Sequence, residues 1–232
     1  MRETDRQEIR HLPLFRGMDS NNFDRLMRGA YVQNFPPQVD LLREGDPSDF
    51  LHVLINGSAE LFANWNGRET TMSVARPVST FILAATIQDA PWLMSGRTLE
   101  KSRIVLLPSE DVRAVFAEDN VFARAVVSEL AQCYRGVLKD AKNLKLRTSV
   151  ERLANYLLRW QAEHGGGPTF QLGLEKRRLA ARLGMTPENL SRSIRALQDH
   201  GVQINGTQVE ITDHAKLETL AVPTPLIDDP RC

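Results

Sequence analysis

Residues Glu175 to Thr212, EKRRLAARLGMTPENLSRSIRALQDHGVQINGTQVEIT, decide how this chain is read. Leu179, Ala180 and Leu183 lay an apolar stripe along a short basic segment, and Gly184 is the kind of residue that ends a helix. Thr186 can cap the next segment, Pro187 suits a first helical position, and Leu190, Ile194 and Leu197 recur at helical spacing up to Gly201. With those three facing inward, Glu188, Ser191, Arg192 and Arg195 share the outward face. Val202 and Ile204 then alternate, Asn205-Gly206 is a hairpin turn, and Val209 and Ile211 alternate back. The stretch predicts a helix, a short turn, a second helix and a two-stranded wing.

That outward face has the chemistry of a major-groove reader. Arg can give two hydrogen bonds to a guanine edge, Glu can accept from the cytosine amino group, and Ser can serve a base or a phosphate. Lys176 and Arg177, with Arg178 and Arg182, make the first helix basic enough to meet phosphates. Each residue also has a plainer reading, since the macrodipole favours a first-turn Glu anywhere and arginines on an amphipathic helix form a solvated face. The agreement of basic helix, turn, polar helix and wing carries the prediction of a winged helix-turn-helix.

Pro187-Glu188-Asn189-Leu190-Ser191-Arg192 resembles the recognition helix of the CRP/FNR superfamily of bacterial transcription regulators. The FNR-like branch of that superfamily carries a Glu, two spacers and then Ser-Arg, which here falls on Glu188, Ser191 and Arg192. The cyclic-AMP receptor branch has an additional Arg before the Glu, where this chain has Pro187. The resemblance implies a palindromic operator with half-sites of TTGAT type, and RNA polymerase as a partner.

The 232 residues suffice for two modest domains, and 29 Lys+Arg balance 29 Asp+Glu. A neutral chain argues against a general polyanion binder while leaving room for a local basic patch; from Lys176 to Arg195 the single acid is Glu188. No apolar run approaches the roughly 18 to 20 residues that span a bilayer, and the charged start MRETDRQEIR does not read as a signal peptide. The expectation is a cytoplasmic protein with no membrane partner. Cys133 and Cys232 are too few for a disulfide framework or for the four thiolates of an iron–sulfur cluster, and the N-terminal cysteine group of the family's oxygen sensor is missing. The five histidines show no metal-ligand spacing.

Along the chain, Arg2 to Arg10 reads as a polar arm, and Asp19 or Ser20 can cap a helix carrying Phe23, Leu26 and Met27. From Val32 to about Leu107 the period shifts to two, with Asn56-Gly57 and Asn66-Gly67 as hairpin turns, which predicts a sandwich or jelly roll. Arg43-Glu44-Gly45-Asp46-Pro47 and the following FLHVLINGSAELF resemble the opening strands of a cyclic-nucleotide-binding-type β-roll. Such sites hold the ribose with a Gly-Glu pair and the cyclic phosphate with an Arg-Ser/Thr-Ala run. Here the matching stretches are Thr80-Phe81-Ile82-Leu83 and Pro91-Trp92-Leu93-Met94, and an unpaired phosphate against such residues would cost several kcal/mol. Arg97 is nearby but out of register. The residues argue against cyclic AMP as ligand.

Phe81, Ile82, Leu83, Trp92, Leu93 and Met94 leave two readings open. They are plain core or a surface packed on a helix, or they wall a hydrophobic effector pocket, for haem in the manner of family members that sense diatomic gases. The effector and any cofactor stay unassigned.

From Ser109 onward the period is helical. Phe122, Val126, Leu130, Cys133, Val137, Ala141 and Leu144 follow steps close to a coiled-coil seam, on a helix of about 36 Å. It either pairs with a second copy, or packs on its own β-roll. Lys145-Leu146-Arg147 reads as a hinge and Thr148 with Glu151 as a capping box. Gly165-Gly166-Gly167-Pro168 breaks the next helix, Phe170, Leu172 and Leu174 alternate as an edge strand, and PTPLIDDPRC reads as a loose tail.

The expected architecture is α+β: a β-roll sensor over residues 1–117, a dimerisation helix and hinge over 118–146, and a winged helix-turn-helix over 147–232. The expected function is a homodimeric, DNA-binding transcription regulator under an unidentified effector. The competing class is a sensor whose C-terminal domain binds a protein instead of DNA. No paired carboxylates, nucleophile–base set or phosphate-binding glycine loop points to an enzyme.

Overall fold

The computed structural model describes residues 1–229. The chain divides into two compact units, Met1–Cys133 and Tyr134–Cys232.

In the first unit, α1 (Glu3–Arg10) and α2 (Ser20–Gly29) lead into β1 (Tyr31–Phe35), β2 (Asp40–Leu42), β3 (Phe50–Asn56), β4 (Ala59–Trp65), β5 (Arg68–Ala75) and β6 (Ser79–Phe81). A short α3 (Leu83–Gln88), then β7 (Ser95–Thr98), β8 (Ser102–Pro108) and α4 (Ser109–Glu118) follow, and α5 (Asn120–Leu146) begins here. The strands form two four-stranded antiparallel sheets, ordered β1-β8-β3-β6 and β2-β7-β4-β5. Leu54, Leu61, Phe81, Trp92, Ile104 and Leu106 pack between them. On the other face of the first sheet, Leu51, Val53, Val105 and Leu107 meet Phe23, Leu26 and Met27 of α2, Val112 and Val115 of α4, and Phe122 and Val126 of α5. β3 and β8 are therefore covered on both faces, which is why their sequences run nearly continuously apolar instead of alternating.

Local chemistry sets the element ends. Trp65 pairs with Arg68 across Asn66 (φ 49°) and Gly67 (φ 73°), the doubly left-handed turn that Asn-Gly favours. Asp19 caps α2 through the N–H groups of Asn21 and Asn22. Buried Asp119 accepts from Val121 and Phe122 at the start of α5 and, through its other oxygen, from the Asp19 N–H at 2.8 Å.

The polar arm expected over Arg2 to Arg10 is instead α1. A single apolar anchor, fully buried Ile9, and ion pairs from Arg103 to Asp5 (2.5 Å) and Glu8 (2.6 Å) hold it.

The second unit contains the rest of α5, then α6 (Ser149–Glu163), β9 (Thr169–Gln171), α7 (Lys176–Arg182) and α8 (Pro187–Gln198), followed by β10 (Val202–Asn205), β11 (Gln208–Ile211), α9 (His214–Ala221) and α10 (Pro225–Asp228). The capping box forms: Thr148 N–H donates to Glu151 Oε2 at 2.7 Å, and Glu151 N–H donates to Thr148 Oγ1 at 3.3 Å. Leu153, Leu157, Leu179, Leu190, Leu197, Val209 and Leu217 are buried. Sheet β10-β11-β9 forms the wing and its backing strand. Asn205 pairs directly with Gln208, so the hairpin's central residues are Gly206 and Thr207, with Gly206 at φ 63°, and not the Asn205-Gly206 pair. The tail expected to be loose includes α10, and Cys232 lies outside the described residues.

Candidate functional site

The helix-turn-helix is fixed by its turn. Leu183 closes α7, and Gly184 follows at φ +61°, a conformation that favours glycine. A side chain there would also collide with Leu144, whose Cδ2 occupies the space a Cβ would need. Buried Arg152 ties the turn down, its Nε donating to Leu183 O at 2.8 Å and its Nη1 to Arg147 O at 2.7 Å. The first of these bonds completes a carbonyl that α7 leaves unpaired. Nothing in the local pattern around Arg152 distinguishes it from a solvated helix charge.

Thr186 caps α8, accepting from Asn189 N–H at 3.2 Å, and Pro187 occupies the first turn. Leu190, Ser193 and Leu197 face inward, and Glu188, Ser191, Arg192 and Arg195 lie on the outward side. Glu188's own backbone N–H, the Thr186 hydroxyl and the Arg192 charge hold its carboxyl below the ordinary glutamate value. It therefore presents acceptors only at neutral pH. The Ser191 hydroxyl donates to Pro187 O at 2.9 Å, which leaves its lone pairs outward. Lys176 and Arg177 are exposed on α7. Arg182 is paired with Asp140 of α5 at 3.0 Å, and Arg178 lies 4.0 Å from Glu175.

The six residues of the apolar wall do not converge. Phe81 and Trp92 are buried between the sheets with Ile82 and Met94 partly covered beside them, Leu83 belongs to the helical core on the far side of the first sheet, and Leu93 is 81% exposed. The alternation of the sequence could not reveal this, because Ile82 adopts a left-handed φ of 63° that turns the chain between β6 and α3. His52 fills the interior with them. Its ring stacks on Phe81 (5.3 Å) and meets Trp92 edge-on (6.0 Å), its Nδ1 lies 3.1 Å from Phe50 O, and burial lowers its pKa to about 4. It is neutral at physiological pH. Arg97 is engaged elsewhere, donating to Glu60 at 2.9 Å and to Glu69, with its guanidinium 4.2 Å from the Phe62 ring centre.

The predicted seam of α5 also needs correction. Phe122 and Val126 are fully buried in the first unit's own core, and Leu130 packs against it, so the first two are not available to a second copy. Cys133 is exposed, one position before Tyr134. The exposed apolar residues Val127, Tyr134, Val137 and Leu144, with Leu130 and Ala141 between them, follow steps of three, four, three, four and three. Helical spacing alone could not tell a stripe meeting its own domain from one left uncovered.

Two family models match the chain side by side. A cyclic nucleotide-binding domain covers residues 32–119, and a Crp-like helix-turn-helix domain covers residues 151–220. The chain belongs to the CRP/FNR superfamily. It is a CRP-like transcriptional regulator with a helix-turn-helix DNA-binding domain. Among its relatives, the "CRP-like cAMP-activated global transcriptional regulator" of Mycobacterium tuberculosis is 21% identical over 210 residues, covering 88% of this chain and 94% of the relative. Solved structures with the same fold include FixK2 from Bradyrhizobium japonicum (18% identity, TM-score 0.70, covering 84% of this chain and 98% of that one). A CRP-family transcriptional regulator from Thermus thermophilus is similar too (18% identity, TM-score 0.65, 83% and 97%).

Within the CRP/FNR fold, the interior of this roll does not fit a cyclic nucleotide. Apolar and aromatic side chains occupy it, and Arg97 is neutralised by two carboxylates instead of facing an anion. Haem does not fit beside His52 either, because Phe81 and Trp92 cover the ring. No group of three or more His, Cys, Asp or Glu is placed to hold a metal ion among the described residues, and no helix there is long and apolar enough to cross a membrane.

Proposed function

We propose that this regulator binds, as a homodimer, a palindrome with FNR-like half-sites of TTGAT type. The observation that carries the reading is the outward set Glu188, Ser191, Arg192 and Arg195 on a capped helix, next to exposed Lys176 and Arg177. Lys176 and Arg177 contact phosphates and fix the register, Thr186 holds the start of the recognition helix at the backbone, and Glu188, Ser191, Arg192 and Arg195 face base edges. The exposed apolar residues Val127, Tyr134, Val137 and Leu144 of α5 support a parallel pair of helices, with two recognition helices about one DNA turn apart, roughly 34 Å.

Cyclic AMP is not the effector in this reading, because the interior that would receive it is packed with His52, Phe81 and Trp92. An effector acts by binding one arrangement of the paired helices more tightly than another, since only differential affinity shifts a population. RNA polymerase is the partner expected from the superfamily.

Selection of bound duplexes from a random pool tests the domain, its symmetry and its base readers together. The expected outcome is an inverted repeat with TTGAT-like arms, bound by a species of twice the chain mass. Retention on duplex DNA that does not weaken with salt, or enrichment of no motif, would favour a protein-binding C-terminal domain instead.

A further inference from the structure

The junction between α5 and α6 is two residues long, Arg147 and Thr148, and the chain's C-terminal segment is fastened across it. Beyond α9 the chain turns at Val222 (φ 43°), and Asp228 at the end of α10 accepts from Thr224 N–H at 2.8 Å. The guanidinium of Arg147 then grips Asp228 as a fork, Nη1 to Oδ1 at 2.7 Å and Nη2 to Oδ2 at 2.6 Å, with side-chain exposures of only 8% and 9%. Nη1 also reaches Asn143 Oδ1 at 3.2 Å, and Nη2 reaches Val222 O at 3.4 Å. Two turns earlier on α5, Lys139 Nζ donates to Asp229 O at 2.5 Å. A short surface helix with no buried residue of its own has little reason to hold this place without those charges.

The fork lies on a continuous path to the DNA-reading helices. The carbonyl of Arg147 accepts from Arg152 Nη1, and the same guanidinium bonds Leu183 O in the turn before α8. Asp140–Arg182 and Leu144 against Gly184 complete the attachment of α7 to α5. Hinges are short segments that absorb large backbone changes, and a bidentate pair buried at such a segment restricts them.

We propose that Arg147 and Asp228 are positioning residues for operator binding: residues Thr224–Asp229 splint the α5–α6 junction and fix the angle at which the winged helix-turn-helix leaves α5. Because two copies must place their recognition helices at one separation, the splint sets the half-site spacing that the dimer accepts. This rests on the dimeric, palindrome-binding reading above. A purely structural pair would alter stability and leave spacing preference untouched.

The test is Asp228→Asn, which keeps the shape and removes the charge. Binding is compared on the selected operator and on versions with one base pair inserted or deleted between the half-sites. The variant is expected to lose about tenfold of the wild-type discrimination between spacings while keeping the same half-site sequence, and Asp228→Glu is expected to regain part of it. Amide exchange over residues 143–148 should accelerate by about tenfold in Asp228→Asn without DNA. Spacing discrimination within about twofold of wild type, or unchanged exchange at the junction, overturns the splint. If Asp228→Asn does not fold, a chain ending at Pro223 is read by the same two measurements. A wild-type protein that selects no palindrome would defeat the dimer reading, and the exchange experiment would still decide whether the tail restrains the junction.

Discussion

In the β-roll domain, His52 is enclosed between the sheets by Phe81 and Trp92, and the partly exposed Arg97 is held by Glu60 and Glu69; on α8, Glu188, Arg192 and Arg195 face solvent. The two regions carry similar residue types and treat them oppositely. In the roll, these polar side chains are paired or stacked within the fold, so an entering ligand would have to displace packed groups. On α8, Thr186 caps the helix and the Ser191 hydroxyl donates to Pro187 O, while Glu188, Arg192 and Arg195 stay exposed. Folding satisfies the first region, and in the proposed reading the second is the face offered to DNA.

If the roll's interior is core, removing its largest ring should be felt as stability. Trp92 is 9% exposed and its backbone is held on both sides, its N–H donating to Asp46 O and its carbonyl accepting from Gly45 N–H. Trp92→Ala is expected to lower the stability of the sensor unit by about 3 to 5 kcal/mol, read as a shift in denaturant midpoint, without changing the half-site the protein selects. A variant of unchanged midpoint would mean that Trp92 lines space and not core.

His52 sharpens the same point through pH. Its folded pKa of about 4 lies below the ordinary 6.5, because burial penalises the imidazolium more than the Phe50 carbonyl favours it. Between those two values the unfolded chain binds more protons than the folded one, so stability is full above pH 6.5 and falls as the pH drops towards 4. The total loss is about 3 kcal/mol. Denaturant midpoints at a series of pH values should show it, and His52→Phe should flatten the slope in that window. A slope that survives the substitution would place the titrating group elsewhere.

The contrast also explains what the sequence could and could not show. The winged helix-turn-helix was legible because its determinants are local: Thr186 and Pro187 start α8, Gly184 ends α7, and Leu190 and Leu197 mark its inner face. The β-roll was legible in part: Asn66-Gly67 does close the β4–β5 hairpin, whereas Asn56-Gly57 joins β3 to β4, which lie in different sheets and do not pair, and β3 does not alternate because both its faces are covered. What was lost depends on distant partners. α1 has one buried apolar residue, and the charges that hold it come from Arg103, more than ninety residues away. α10 is four residues long and is held by Arg147. The period that placed Phe122 and Val126 on a seam was right about the helix, but it carried no information on which body would cover that stripe.

On the other side of the comparison, Arg192→Ala should cost about 1 to 3 kcal/mol on the specific operator and relax the preference at one base position. Competition binding at fixed salt measures both. Equal losses on specific and random duplexes would move Arg192 from the base readers to the phosphate contacts, and the outward face of α8 would then specify less than its composition suggests.

The smallest expected effect divides that surface further. Lys176 opens α7 and is exposed, so its charge is screened beyond about 10 Å at 0.1 M salt and matters only where it meets a phosphate. Each such contact contributes about 0.9 to the slope of log affinity against log salt. Lys176→Ala should therefore weaken binding evenly across sequences and reduce that slope by about 1, leaving the selected half-site unaltered. A change in base preference would show that α7 reads sequence as well as α8, and the separation of roles between the basic helix and the capped one would not hold.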